Sequence, residues 1–481
     1  MQFSVEIFRI FQYDTVCSLK IRLLLFYIAF KIGEKMENKL QKKMHSRHVT
    51  MLALGGAIGA GLFKGSGEAI NLAGPSVILA FFLGGLLLFS IMNAVGTLAV
   101  NNSHAQSLSG VVAPYIGSFS AYFTDWLYWT MWMINIVAEA VAAASFMQLW
   151  FPNVPAWIFI LIISLLTTMI NFLSVKIFAE TEFWLTMGKI SVVVLLIIFA
   201  SYLVLGRIFH DGLVPTMSSL TSHGGFFPHK VQGLLNSLLL VVYSYGGTEL
   251  VIIAMGETAD PAKSIPKAIR SVLFRIIAFY IVPMFLLLII YPWQTLANSD
   301  ASPFVLIFEK MQIPFAADLV NLVIVFALFS SINSGIYASS RILHLQLSKT
   351  KKFSKYMRLN KHGVPNRAVM FSTGMLYIGV LLSYLFGESL FTYLVGSLSY
   401  TVLLIWLMLC LAYFSYLQKN STSLFKKTVN IVTLVSLTAI FIAILTTSNL
   451  VVTEVTIVLY GLIVLSYFLQ KRTAANAAAL D

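Results

Sequence analysis

Apolar residues along this chain come in long runs separated by short polar segments. The runs lie at roughly 49–70, 76–100, 121–150, 156–174, 185–206, 231–256, 272–292, 316–345, 368–386, 390–414, 428–446 and 450–469. An α-helix needs about 20 apolar residues to cross about 30 Å of hydrocarbon, and most runs reach that length. Backbone polar groups in lipid must be satisfied within the segment, and these runs are too long for strands, so the pattern predicts helices. The expected fold class is an all-α membrane protein of about twelve transmembrane helices.

Composition agrees. The chain is 58% hydrophobic and 11% charged, against about 25% charged in soluble domains. It has too few polar side chains to cover a surface in water. The net charge of +13 could point to nucleic acid, but the basic residues form short clusters between apolar runs, so no nucleic acid partner is expected. Such clusters set helix orientation. Lys35, Lys39, Lys42, Lys43 and Arg47 precede the first run, and Lys263, Lys267 and Arg270 follow the sixth. The segment after the eighth run is the richest, from Arg341 through Lys349, Lys351, Lys352 and Lys355 to Arg367, and Lys471 and Arg472 lie in the tail. The alternate loops hold only Arg207, Lys230 and Lys310. Both termini are therefore expected in the cytoplasm, with the chain multi-pass in the cytoplasmic membrane. The 101–119 segment, read as a cytoplasmic loop, carries neither Lys nor Arg. Cys17 and Cys410 have no spacing that suggests a metal, a redox pair or a disulfide.

The expected organisation begins with residues 1–35 as a non-native extension, because Leu23 to Phe30 is too short to span and Ile32 to Lys35 can be encoded by a ribosome-binding sequence just before Met36. Residues 36–48 then form a basic cytoplasmic N-terminus, 49–414 a transport core, 415–470 two additional helices and 471–481 a cytoplasmic tail.

Two runs carry glycine where a helix interior should not. Gly55 to Phe63 reads GGAIGAGLF in the first, and Ser244 to Leu250 reads SYGGTEL in the sixth. Glycine costs a helix about 1 kcal/mol per residue. A break inside a membrane is tolerated where the freed backbone lines a cavity or is buried in protein, and freed N–H groups at a half-helix start attract a carboxylate. Close packing of small residues is the other reading of the first motif. Matching breaks five helices apart, in runs of opposite direction, point to a five-plus-five inverted repeat with its site at mid-membrane.

Ionisable residues within spans are costly and so are functional candidates. Glu139, inside the third run, suits substrate or proton binding, or a structural bond between helices. Glu249, after the sixth-run break, suits a gating or bracing role, or a direct one. Lys189, near the expected start of the fifth run, suits proton coupling, or it snorkels to the interface. Asn333 joins Ser330, Ser331 and Ser334 in a polar stripe on the eighth run that suits the substrate path or helix packing. The eight histidines fall in loops or at helix ends, where solvated rings are expected. No catalytic constellation, metal cluster or cofactor loop is apparent, so neither an enzyme nor a cofactor is expected.

GGAIGAGLFKGSG, YGGTE, Gly256 to Ile269 (GETADPAKSIPKAI), Asn333 to Leu343 (NSGIYASSRIL) and Gly363 to Val369 (GVPNRAV) together resemble the bacterial amino acid transporter branch of the amino acid–polyamine–organocation superfamily, from about residue 40 to 470. Helices 3 to 5 look most like those of D-serine/D-alanine/glycine carriers. The resemblance implies proton-coupled amino acid uptake by alternating access, with the amino acid and protons as partners. It places the substrate carboxylate at Ala57, Ile58, Gly59, Ala60 and Gly61. It places the amino group at the carbonyls of Tyr245, Gly246 and Gly247. Lys189 matches a helix 5 lysine that stands where sodium-coupled relatives bind an ion, and Glu139 matches an acid near the substrate. Thr97 stands where an acid is frequent, and LSKTKKFSK replaces a segment that usually carries Gly and Ala-Pro, so gating at the cytoplasmic side is expected to differ. Exchange of one amino acid for another is the competing mode of transport; a sensor that binds without transporting is a further reading.

Overall fold

The computed structural model describes residues 51, 55–56, 58–102, 105, 107–172, 175–254, 266, 269, 274, 276–299, 301–348, 351–354, 356–357, 359–360, 363–387, 389–447 and 449–478. The expectations for residues 1–35 and 36–48, for Ala57 and for most of the Gly256 to Ile269 motif lie outside the described residues.

Each apolar run becomes a helix. They are α1 (Ala60–Phe63, continuing as Gly65–Ala73), α2 (Val77–Asn101), α3 (Leu108–Gln148), α4 (Ala156–Asn171), α5 (Val175–Asp211), α6 (Lys230–Tyr245, resuming at Leu250–Ile253), α7 (Ile277–Ile281, continuing as Val282–Ile290), α8 (Ala316–Ser348), α9 (Asn366–Phe386), α10 (Ser389–Lys419), α11 (Leu424–Thr447) and α12 (Leu450–Ala478). Among the described residues, nine stretches are long and apolar enough to span a membrane, and α4 and α7 are shorter apolar helices. One of the nine, Gly65–Asn101, runs through both α1 and α2, so the total reaches the expected twelve.

Several interruptions have local causes. Gly74, with φ +60°, and Pro75 turn the chain between α1 and α2. In α7 a π-helical turn, Ile277–Ile281, leads into Pro283, whose missing N–H and bulky ring disturb the preceding ladder. The 101–119 segment departs from the expected loop. Its second half is helical and packs Leu108, Val111 and Val112 into the core, before Ile116 and Gly117 bend the chain into the long membrane part of α3.

Burial sorts the helices into two layers. About three quarters of the apolar windows of α3, α6 and α10, and two thirds of that of α8, are buried, against less than a third of those of α5, α11 and α12. The outer helices present large apolar side chains such as Phe209, Val435 and Leu462 outward. An apolar outside around a buried polar centre is the arrangement for which lipid is the solvent. The inner layer brings α3 against both α8 and α10, with α1 and α6 against the same cluster.

Candidate functional site

The two helix breaks meet at the centre. Helix α6 ends at Tyr245 and resumes at Leu250, and Gly247 between them has φ +91°, which an L side chain rarely adopts. A Cβ added there would lie 2.7 Å from the carbonyl oxygen of Gly56 and 3.3 Å from the Trp132 ring. Glycine is thus required at Gly247 by conformation and by the approach of the first break to the second. The break in α1 falls at Ile58 and Gly59, and Ala60 opens the next helical turn.

Glu139 of α3 faces that turn. Its two carboxylate oxygens accept from the Ala60 N–H at 3.1 and 3.0 Å. The carboxylate lies so close to Gly59 that an added Cβ would collide with it. The N–H group that the family resemblance assigns to the substrate carboxylate therefore holds an internal carboxylate in this conformation. Glu139 is 3% exposed.

Lys189 does not snorkel. Helix α5 begins at Val175, so Lys189 lies 14 residues in (189 minus 175), about 21 Å along the axis. It is fully buried. Its Nζ donates to the Gly55 carbonyl at 2.9 Å and to Ser331 Oγ at 3.2 Å. Ser331 Oγ in turn donates to the Ile58 carbonyl at 3.2 Å. The ammonium therefore ties α5 to the broken part of α1 and to α8. Two carboxylates attract it, those of Glu182 and Glu139.

Glu182 was not singled out from the sequence. It is 1% exposed, and its Oε1 accepts from Ser330 Oγ at 2.7 Å. Its signal is its position seven residues before Lys189, two helical turns along one face; the polar stretch around it lies outside the fifth apolar run. Asp125 was also missed, although it is an ionisable residue inside an expected span. It accepts from the Ser109 N–H at 2.7 Å and from Gln346 Nε2, joining the first turn of α3 to the end of α8. His344, expected solvated, is buried in the last turns of α8, because that end of the helix packs into the bundle.

Glu249 holds the α6 break to α10. Its Oε2 accepts from the Gly247 N–H at 3.1 Å and its Oε1 from Trp406 Nε1. Tyr245 turns its side chain away, donating to the Phe81 carbonyl at 2.8 Å, and Gly246 N–H donates to the carbonyls of Val242 and Tyr243. Gly61 packs directly against Ser244 of α6. The α8 stripe divides. Ser330 and Ser331 face Glu182 and Lys189, whereas Asn333 accepts from Asn171 Nδ2 of α4 at 2.5 Å. Thr97 donates to the Asn93 carbonyl within α2.

A cavity of about 10 Å³ remains between α3, α6 and α10, room for about one water. Met131, Trp132, Asn135, Tyr243, Leu398 and Val402 line it, with Gly246 and Gly247. None of them is charged. Tyr243 Oη and Trp132 Nε1 are buried without a hydrogen-bond partner. Trp129 and Met133 of α3 and Ser330 and Asn333 of α8 do not line this cavity; rotation of each helix about its axis decides which face looks inward. Among the described residues no group of three His, Cys, Asp or Glu side chains is arranged to hold a metal ion.

A sequence profile described as amino acid permease matches residues 48–470. The chain belongs to the amino acid permease family. It is 46% identical over 438 residues to the uncharacterized amino acid permease YvbW of Bacillus subtilis (strain 168), covering 90% of this chain and 98% of that one. It is 41% identical over 453 residues to the aromatic amino acid permease FywP of Lactococcus lactis subsp. cremoris (strain MG1363), covering 91% and 98%. The gamma-aminobutyric acid permease of Bacillus subtilis (strain 168) is 36% identical over 377 residues, covering 78% and 80%. In fold, the permease is similar to a Na+-coupled sialic acid symporter in a substrate-bound outward-open state, with TM-score 0.51 and 13% identity over 85% of this chain and 91% of that one. The permease is thus a multi-pass membrane protein that transports amino acids, and not an enzyme. Its breaks in α1 and α6, five helices apart, fit the five-plus-five repeat with α11 and α12 added outside it.

Proposed function

We propose that the permease takes up neutral amino acids with large, apolar or aromatic side chains across the cytoplasmic membrane, together with protons, by alternating access. Both termini face the cytoplasm in this reading, which rests on the distribution of Lys and Arg. The observation that carries it is the position of Lys189, buried on the Gly55 carbonyl and Ser331 and attracted by two carboxylates. Hydrogen bonds from an ammonium are roughly twice as strong as those from a neutral donor. Gain or loss of one proton at Lys189 therefore changes how firmly α5 holds α1 and α8, which is a coupling between protonation and helix movement.

The substrate carboxylate replaces that of Glu139 at the Ala60 N–H, and the carbonyls at Tyr245, Gly246 and Gly247 receive its amino group. Its side chain enters the cavity between α3, α6 and α10. The uncharged lining of that cavity favours a neutral side chain. The name of the aromatic amino acid permease at 41% identity points the same way. Because the cavity is small, binding has to move α10 or the Trp132 ring outward.

The test is uptake by purified protein in liposomes, with a panel of labelled amino acids and with or without an inward proton gradient. Gradient-dependent accumulation of phenylalanine, tyrosine or leucine is expected. Uptake that ignores the gradient and requires internal amino acid would assign an exchanger instead.

A further inference from the structure

A second, larger cavity lies about one helical turn beyond the small one, along the same two helices. The small cavity touches Tyr243 of α6 and Leu398 of α10; the larger touches Leu240 and Val395, each three residues away. It lies toward the ends of α1 and α12 that face away from the basic segments, the outer side in the orientation proposed above. Its volume is about 440 Å³, within the range of about 300–1,000 Å³ typical of small-molecule sites.

Its walls have the chemistry of an amino acid zwitterion. Glu68 is the only charged residue among those that line it, and an uncoordinated α-ammonium is the natural partner of its carboxylate. Asn236 and Asn449 are on the wall as well. Their amide oxygens already accept, from Gln232 Nε2 at 3.1 Å and from the Val451 N–H at 2.9 Å. What these two amides offer is N–H donors, which suit a carboxylate. Leu240, Val395 and Val452 supply an apolar side wall. A lipid acyl chain would use that wall and have no use for Glu68.

Tyr243, on the wall of the small cavity, belongs to a cluster of three side chains that we take as the partition between the two cavities. Tyr243 and Phe391 meet edge to face, with ring centroids 6.3 Å apart. Lys64 lies over the Phe391 ring at 4.9 Å and donates to Ser145 Oγ of α3 at 2.9 Å. Lys64 and Glu68 are one turn apart on α1 and attract each other. An ammonium that engages Glu68 competes with Lys64 for that carboxylate, which loosens the partition from the outer side.

We propose that the outer cavity, with Glu68 and the amides of Asn236 and Asn449, is a second amino acid subsite that holds the substrate before the Lys64–Phe391–Tyr243 partition opens. This rests on the uptake direction proposed above.

The test is saturation binding of labelled L-phenylalanine to the full chain in lipid nanodiscs, with uptake by the same protein in liposomes. Two molecules bound per chain are expected. Glu68→Gln, nearly identical in shape, should leave one and raise the KM for uptake about fivefold, the loss of roughly 1 kcal/mol of attraction at a solvent-facing site. Asn236→Leu should act in the same direction. Uptake by the native protein with one molecule bound per chain overturns the subsite and leaves the transport reading standing. A second site that disappears when the lipid is changed, and not in Glu68→Gln, belongs to lipid and also overturns it. A native protein that neither binds nor takes up any amino acid of the panel overturns the uptake reading and the subsite with it.

Discussion

Replacing Trp406 by phenylalanine should weaken the α6 break through a single lost donor. The ring keeps most of its bulk, but the N–H that reaches Glu249 Oε1 is gone. Glu249 keeps the Gly247 N–H at 3.1 Å as an acceptor contact and is otherwise enclosed in protein. A hydrogen bond to a charged group contributes about 1.5–3 kcal/mol, so the arrangement should lose that much. If the brace is intact in the rate-limiting conformation, kcat/KM for uptake falls roughly 10- to 150-fold. Glu249→Gln removes the same charge-assisted bond from the other side. The double variant should therefore be little worse than the poorer single variant, because both changes break one interaction. The assay is initial uptake by the four proteins at equal amounts in liposomes. Independent, multiplying losses would refute the brace, and so would a Trp406→Phe loss of less than about twofold.

Gly59→Ala would drive a methyl group into the Glu139 carboxylate; an overpacked core costs about 1–3 kcal/mol, so uptake should fall about 5- to 150-fold, and Glu139→Ala in the same chain should restore part of it. Glu182→Gln removes one of the two carboxylates that attract Lys189; accumulation under a proton gradient should drop at least tenfold while exchange persists, both read from the same liposomes. Val402→Ala enlarges the cavity wall beside Gly246; since a methylene or two is worth about 1–3 kcal/mol in side-chain discrimination, competition assays should shift toward the bulkier amino acids by about tenfold.

Where glycine interrupts an apolar run, the fold was legible in advance. Gly59 and Gly247 marked both breaks, and their spacing of five helices marked the repeat. The first two turns of α3 were not, because Leu108 to Tyr115 is short and uncharged, and only the bend at Ile116 and Gly117 separates it from the span. The depth of Lys189 was misjudged for a related reason. Glu180 and Glu182 made the start of α5 look like a loop, although Glu182 is buried against α8. Paired charges lower mean hydropathy without shortening the helix. Glu139 and Glu249 could be identified as candidates from burial in lipid alone, but their partners, the Ala60 N–H and the Trp406 indole, lie 79 and 157 residues away and follow only from packing. The cavity wall was least legible, since Trp129 and Trp132 are equivalent by composition and helix rotation alone decides which one faces the breaks.

The most direct test of proton-coupled uptake is Lys189→Ala, measured two ways in the same liposomes. The account predicts that the variant still exchanges internal for external labelled amino acid, which shows that it is folded and binds substrate. It also predicts that an imposed inward proton gradient no longer drives accumulation. Accumulation by Lys189→Ala at the level of the native protein would contradict the account and remove Lys189 from the coupling step.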